Sequence, residues 1–316
     1  MSRARPIPSH LRRTSFRVAG AAEDVSAWRL RSRDLARPFH GVRSHEVDLA
    51  DPLARCLAYS QRMLEGHALS HSSAALIYRV PLPSAIEHAP LVHESAAHPL
   101  QPTRARGAVG HRHPVDAPPF RRFRGYRVID PATTWCQLAL QLSHHDLVAA
   151  GDFLISGRVT EYQREPPLSS IEELTAAVSR WHGRPGYPAL ARALPRLRTR
   201  VDSRQETHLR LTLVDSGLPE PVVNEPIFEG GKRLGKPDLA YPWARVVFEY
   251  QGLGHADPVQ FRRDIHRRES FEVHKHRVIL VVADDLTVGK AAFLARVNEI
   301  LAQQALTWPN LKRPEL

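Results

Sequence analysis

Two acids in one short stretch raise the first chemical question. In "KPDLAYPWARVVFEYQGLGH", residues 236–255, Asp238 and Glu249 lie either side of a "YPWA" break in an apolar ladder. With a hairpin loop centred between Trp243 and Ala244, Pro242 faces Arg245 and Asp238 faces Glu249. Directly opposed residues of an antiparallel pair bring their Cβ atoms to about 5 Å. Gln251 shares the face of Glu249, while Val246, Phe248 and Tyr250 point the other way, toward a core. Two carboxylates forced together repel, and one pKa rises. A divalent cation removes that penalty, because Mg²⁺ takes one or two carboxylates together with water and phosphate oxygens. The competing reading is a solvated strand face on which Lys236 or Arg245 answers the acids. The opposed pair, the interrupted ladder and the basic chain favour the metal.

The flanking elements follow from pattern. "SRQETHLRLTLVDSGL" reads as a helix with a capping box of Ser203 and Glu206 at one end and Gly217 just past the other. A strand, "VVNEPIF", and a turn, "EGGKRLGK", lead into the hairpin. Asp257 and Pro258 read as the start of a helix running to about His274, with Phe261, Ile265 and Phe271 on its core side. Arg262, Arg263, Arg267 and Arg268 occupy its other faces, as phosphate contacts that would position DNA or as a solvated face. "HRVILVVADDL" is then a buried strand and "TVGKAAFLARVNEILAQQ" a closing amphipathic helix, with Asp284 and Asp285 between them.

The 316 residues suffice for two or three cores. Lys and Arg number 44 against 33 acids, a formal charge of +11, so a polyanion is the expected partner, with DNA first; a solvated basic surface is the other reading. Cys56 and Cys136 are the only cysteines, which excludes a disulfide framework and a cysteine zinc site and fits the cytoplasm. The longest apolar run, "VILVVA", cannot cross a bilayer, and no apolar segment follows the basic N-terminus, so no membrane partner is expected. His88, His93, His98, His111 and His113 lie on Pro-rich segments without the paired spacing of a zinc site, and read as solvated or hydrogen-bonded.

The expected organisation is α/β and multidomain. Residues 1–15 form a disordered basic tail. Residues 16–48 have the layout of a winged helix: "FRVAGAA", then "DVSAWRLRSRDL" carrying Arg29, Arg31 and Arg33 as DNA contacts, then "RPFHGVRS" as a wing. A small helical cap with a solvated Arg face is the alternative. Residues 49–160 form a middle α/β unit, 161–200 a helical linker, 201–306 the domain bearing the acids, and 307–316 a tail. Oligomeric state is open, a homodimer included.

Asp238, ten residues, then Glu249-x-Gln251 resembles the core of the PD-(D/E)XK nucleases. Together with "PDLAYP", "VVFEYQG", "QFRRDIHRRE" and "HRVILVVADDL", residues 203–302 resemble the domain of unknown function 559, akin to very-short-patch-repair endonucleases. "SHSSAALIYRVPLP" and "YRVIDPATTWCQLA" resemble the abortive-infection type IV antitoxin regulators, which begin with a DNA-binding winged helix. The nuclease resemblance implies a restriction-endonuclease-like mixed sheet flanked by helices that hydrolyses DNA phosphodiesters with Mg²⁺ or Mn²⁺. Asp238 and Glu249 would be metal ligands and Glu206 a helix-borne assistant. Gln251 stands where the family commonly has Lys, and an amide is no general base. Water activation would then rest on metal acidity, with His255 as base or acid. The antitoxin resemblance and Gln251 imply the alternative: a non-catalytic DNA-binding regulator on a nuclease fold.

Overall fold

The structure is a computed structural model. It describes residues 6–160, 163–252 and 258–311, with side chains from 265 onward in the last stretch. His255 and Asp257 lie outside the described residues, as do the side chains of Phe261, Arg262 and Arg263. The chain forms two compact units, one of residues 1–154 and 168–196, the other of 155–167 and 197–316. This differs from the expected division: the helices of the presumed linker belong to the first unit, and so does the N-terminal region.

The first unit begins with two short antiparallel strands, β1 (Ser15–Arg17) and β2 (Val42–Ser44), in place of a winged helix. "FRV" is a strand because Phe16 is buried while Arg17 faces solvent, a period of two. "DVSAWRLRSRDL" forms only a 3-10 turn, Arg29–Arg31. Its buried residues Val25, Leu30 and Leu35 recur every five positions, which no single helical face accommodates. Arg29 is buried, and both its terminal nitrogens bond the Asp34 carboxylate at 2.8 and 2.6 Å, so it is not a DNA contact. Arg31 and Arg33 are exposed, but on no recognition helix. Nor are residues 6–15 a disordered tail, since Ile7 and Leu11 are buried against Phe16, Leu30 and Leu35.

Beyond β2 the pattern-derived elements are present. Helix α1 (Pro52–Ser60) is capped by the Asp51 side chain, with Pro52 at its first position. Then come β3 (His67–Leu69), α2 (His71–Tyr78), α3 (Ser84–Glu87), β4 (Val92–Ala96), β5 (Ala108–Arg112), β6 (Arg121–Phe123) and β7 (Tyr126–Val128). These strands make one sheet in the order β5-β4-β3-β7-β6, with β4 parallel to β5 and β3 parallel to β7. Helices α4 (Pro131–Leu138), α5 (His144–Ser156), α6 (Ile171–Arg180) and α7 (Tyr187–Ala193) follow. Trp135 and Leu138 of α4 are fully buried. Cys56 and Cys136 are buried and free.

In the second unit, α8 (Arg204–Asp215) starts at Ser203, whose hydroxyl accepts the Glu206 N–H, and ends before Gly217 at φ +84°. Strands β8 (Val222–Val223), β9 (Ile227–Glu229), β10 (Lys232–Gly235), β11 (Leu239–Tyr241) and β12 (Val246–Tyr250) follow, then α9 (Pro258–Val273), β13 (Arg277–Val281) and α10 (Lys290–Thr307). The expected single strand "VVNEPIF" is split: β8 joins the main sheet and β9 pairs with β10 through the Gly230-Gly231 turn. The main sheet runs β13-β12-β11-β8, antiparallel except for the parallel pair β12–β13 that α9 connects. One face buries Leu209 and Leu213 of α8, Val246, Phe248 and Ile279, with Phe293 and Val297 of α10. The other face buries Ala240, Val247, Leu234 and Phe271. Burial on both faces is why β12 reads as an unbroken "VVF" run. Asp285 caps a 3-10 turn at residues 283–286, ahead of α10. The 307–316 segment is not simply a tail, since the Trp308 ring lies 4.7 Å from the Arg245 guanidinium. Among the described residues no helix is long and apolar enough to cross a membrane.

Candidate functional site

The hairpin has the register that its loop implies. Leu239 pairs with Phe248 and Tyr241 with Val246, around a 3-10 turn at Pro242–Ala244 that leaves Arg245 at φ +52°. Continuing that register sets Asp238 opposite Glu249. Both lie on the face of Ala240 and Val247, the face that α9 covers. The opposed acids are therefore on one side of the sheet.

Their partners differ. The Asp238 carboxylate accepts the Tyr250 N–H at 2.7 Å, and its carbonyl accepts the Asn224 N–H at 3.0 Å. Glu249 is buried, and both its oxygens bond Arg267 of α9, at 3.1 Å from Nε and 2.6 Å from Nη2. Arg267, expected as a phosphate contact, is thus the counter-charge of Glu249. Gly235 makes the approach possible, because a Cβ there would come within 2.8 Å of both Arg267 Cγ and Phe271 Cζ. Arg268, on the same helix, is half-buried. Gln251 continues the ladder through its N–H to the Val281 carbonyl at 2.7 Å, and its side chain is exposed.

Glu206 belongs to the same neighbourhood. Its carboxylate does not close the capping box on Ser203; it accepts the Asp202 N–H at 2.9 Å and an Asn224 amide N–H at 2.5 Å. Burial, with the Asp238 charge second, pushes the Glu206 carboxyl up to about 7. Burial also raises Asp238, against the Tyr250 N–H and the Arg267 charge, which lower it. Neither cation proposed from sequence answers these acids directly: Lys236 bonds Asp202 at 2.5 Å, and Arg245 bonds Glu229. Asp202, which Arg164 also contacts, and Asn224 are the members that sequence reasoning missed. Asp202 left one signal, its place four residues before Glu206. Lys236 lies two residues before Asp238, a spacing that sets both on one face.

These groups fit a hard cation in part. Asp238 and Glu206 present oxygen donors whose charges burial disfavours, as Mg²⁺ or Mn²⁺ requires. Glu249 fits only when Arg267 releases it.

No family model matches the chain, and no solved structure does. Two proteins of Mycobacterium tuberculosis, one from each of two strains and both described as uncharacterized, are 27% identical over 268 residues, spanning 83% of this chain and 91% of their own length.

Proposed function

We propose that the second unit is a metal-dependent endonuclease that hydrolyses DNA phosphodiesters. The observation that carries this reading is the proximity of Asp238 and Glu206, two carboxyls that burial and mutual repulsion drive upward with no cation bonded to either. The mixed sheet flanked by helices is the arrangement that the nuclease resemblance implies, and the charge of +11 suits a polyanionic substrate. Asp238 would hold Mg²⁺ or Mn²⁺ with Glu206 beside it. When bound, the ion polarises the phosphate and acidifies a water. Lys236 and Arg267 supply positive charge beside the acids, a role open to cations here because Gln251 cannot fill it. The test is relaxation of supercoiled plasmid by purified protein with Mn²⁺ or Mg²⁺. Cutting that Asp238→Ala abolishes supports the site, and cutting that survives the substitution excludes it.

The alternative, a non-catalytic DNA-binding protein on the same scaffold, is favoured by one feature: Arg267 occupies both oxygens of Glu249. That reading expects DNA to be retarded in a gel in the presence of EDTA, equally by wild type and Asp238→Ala, with no cutting in Mn²⁺.

A further inference from the structure

We propose that His71, His93 and His111 bind one divalent transition-metal ion of the zinc class in the first unit. One nitrogen from each ring lies within 4.8 Å of one nitrogen from each of the others. The sheet creates the meeting. His93 is on β4 and His111 on its parallel neighbour β5, where Ser95 pairs with His111, so the two histidines share a face. His71 is the first residue of α2, directly after β3, and its backbone N–H is held by the Gln137 side chain at 2.9 Å.

The nitrogens nearly have ligand spacing already. Zinc–imidazole bonds of about 2.0–2.1 Å in a tetrahedron set neighbouring nitrogens roughly 3.3 Å apart. His93 Nδ1 and His111 Nε2 are 2.9 Å apart, and the His71 and His111 rings stack at 3.8 Å between centroids. Small ring rotations, no backbone rearrangement, separate them to that distance.

The nitrogens facing away are also provided for. A metal-bound histidine donates its other ring N–H to an acceptor, which fixes tautomer and orientation. His71 Nδ1 lies 3.1 Å from the Ser70 hydroxyl, leaving Nε2 for the ion. His93 Nε2 faces the Gln141 side-chain amide at 3.5 Å, and Gln141 Oε1 is buried without a hydrogen-bond partner. Turning that amide over lets Oε1 accept the Nε2–H of a metal-bound His93, and satisfies an oxygen that is otherwise stranded. Burial holds all three imidazoles below their usual range, His93 down to about 4, so protons do not compete for the ring nitrogens near neutrality. Three nitrogen donors select zinc, cobalt, nickel or copper over Mg²⁺, so this ion differs in kind from the one the acids would hold. Nearby histidines do not join them: His88 is exposed, and His113 bonds the Pro118 carbonyl at 2.8 Å.

The experiment uses full-length protein without an affinity tag, stripped with chelator, loaded with Zn²⁺, desalted and assayed by elemental mass spectrometry. One zinc per chain is expected in wild type, in His88→Ala and in Asp238→Ala, with at least a fivefold loss in the His93→Ala/His111→Ala double variant. Loading with Co²⁺ should give the visible absorption of a tetrahedral nitrogen site. His111→Gln, which keeps a polar side chain in the sheet, replaces the double variant should circular dichroism show that one unfolded. Wild type that retains less than a tenth of an equivalent, or a folded variant that retains a full one, overturns the proposal.

Discussion

Glu206→Gln isolates the electrostatic strain of the acid site. The amide keeps an oxygen to accept the Asp202 and Asn224 N–H groups but carries no charge. The wild-type carboxyl is displaced from its ordinary 4.5 to about 7, with burial the main cause and Asp238 the next. An acid with a raised folded-state pKa binds more protons in the folded than in the unfolded chain. Stability is therefore fully present below the unfolded pKa, falls as pH rises through the window from about 4.5 to 7, and is level above it. At about 1.4 kcal/mol per pK unit, the ionised wild type loses about 3 kcal/mol by pH 8. For a unit of this size that corresponds to roughly 6–12 °C. Calorimetry at a series of pH values should show the two proteins melting together near pH 4.5 and the variant melting progressively higher up to pH 8. Millimolar Mn²⁺ at pH 8 should raise the wild-type transition more than that of the variant. Wild-type and variant curves that run parallel across the whole window would refute the claim that Glu206 is a strained, buried acid.

Two further substitutions test the packing. Phe271→Ala opens a cavity among Leu234, Ala240 and Val247 beneath the helix that carries Arg267; the expected loss is about 4 kcal/mol, read from chemical denaturation. His67→Ala leaves Glu94, whose partner at 2.8 Å it removes, buried and uncompensated in the first unit; a loss of about 3 kcal/mol is expected, with partial recovery in the His67→Ala/Glu94→Gln double variant.

Where a local pattern carried its own punctuation, the elements were legible. Asp51-Pro52, Asp130-Pro131 and Ser170 with Glu173 each start a helix where the spacing implied one. The hairpin register was readable too, because a short loop with apolar arms on both sides permits one pairing, and that pairing decides which face every later residue takes. The N-terminal region was not legible. Phe16 finds its place by pairing β1 with β2 from beyond residue 40, a contact that no local window contains, and Arg-rich sequence with good helix formers imitates a recognition helix.

Sequence alone determined the number, sign and side of the charges around Asp238 and Glu249, since alternation along a strand and pairing across a loop are local geometry. Only the tertiary structure decided which charge answers which. Arg267 reaches Glu249 from a helix 18 residues on, and Glu206 comes beside Asp238 from a helix more than 30 residues earlier. The three histidines likewise share a face because β4 and β5 lie side by side and α2 begins next to them. Side-chain direction is set by a few neighbouring dihedrals, whereas partnership is set by how layers pack, and packing is a property of the whole core.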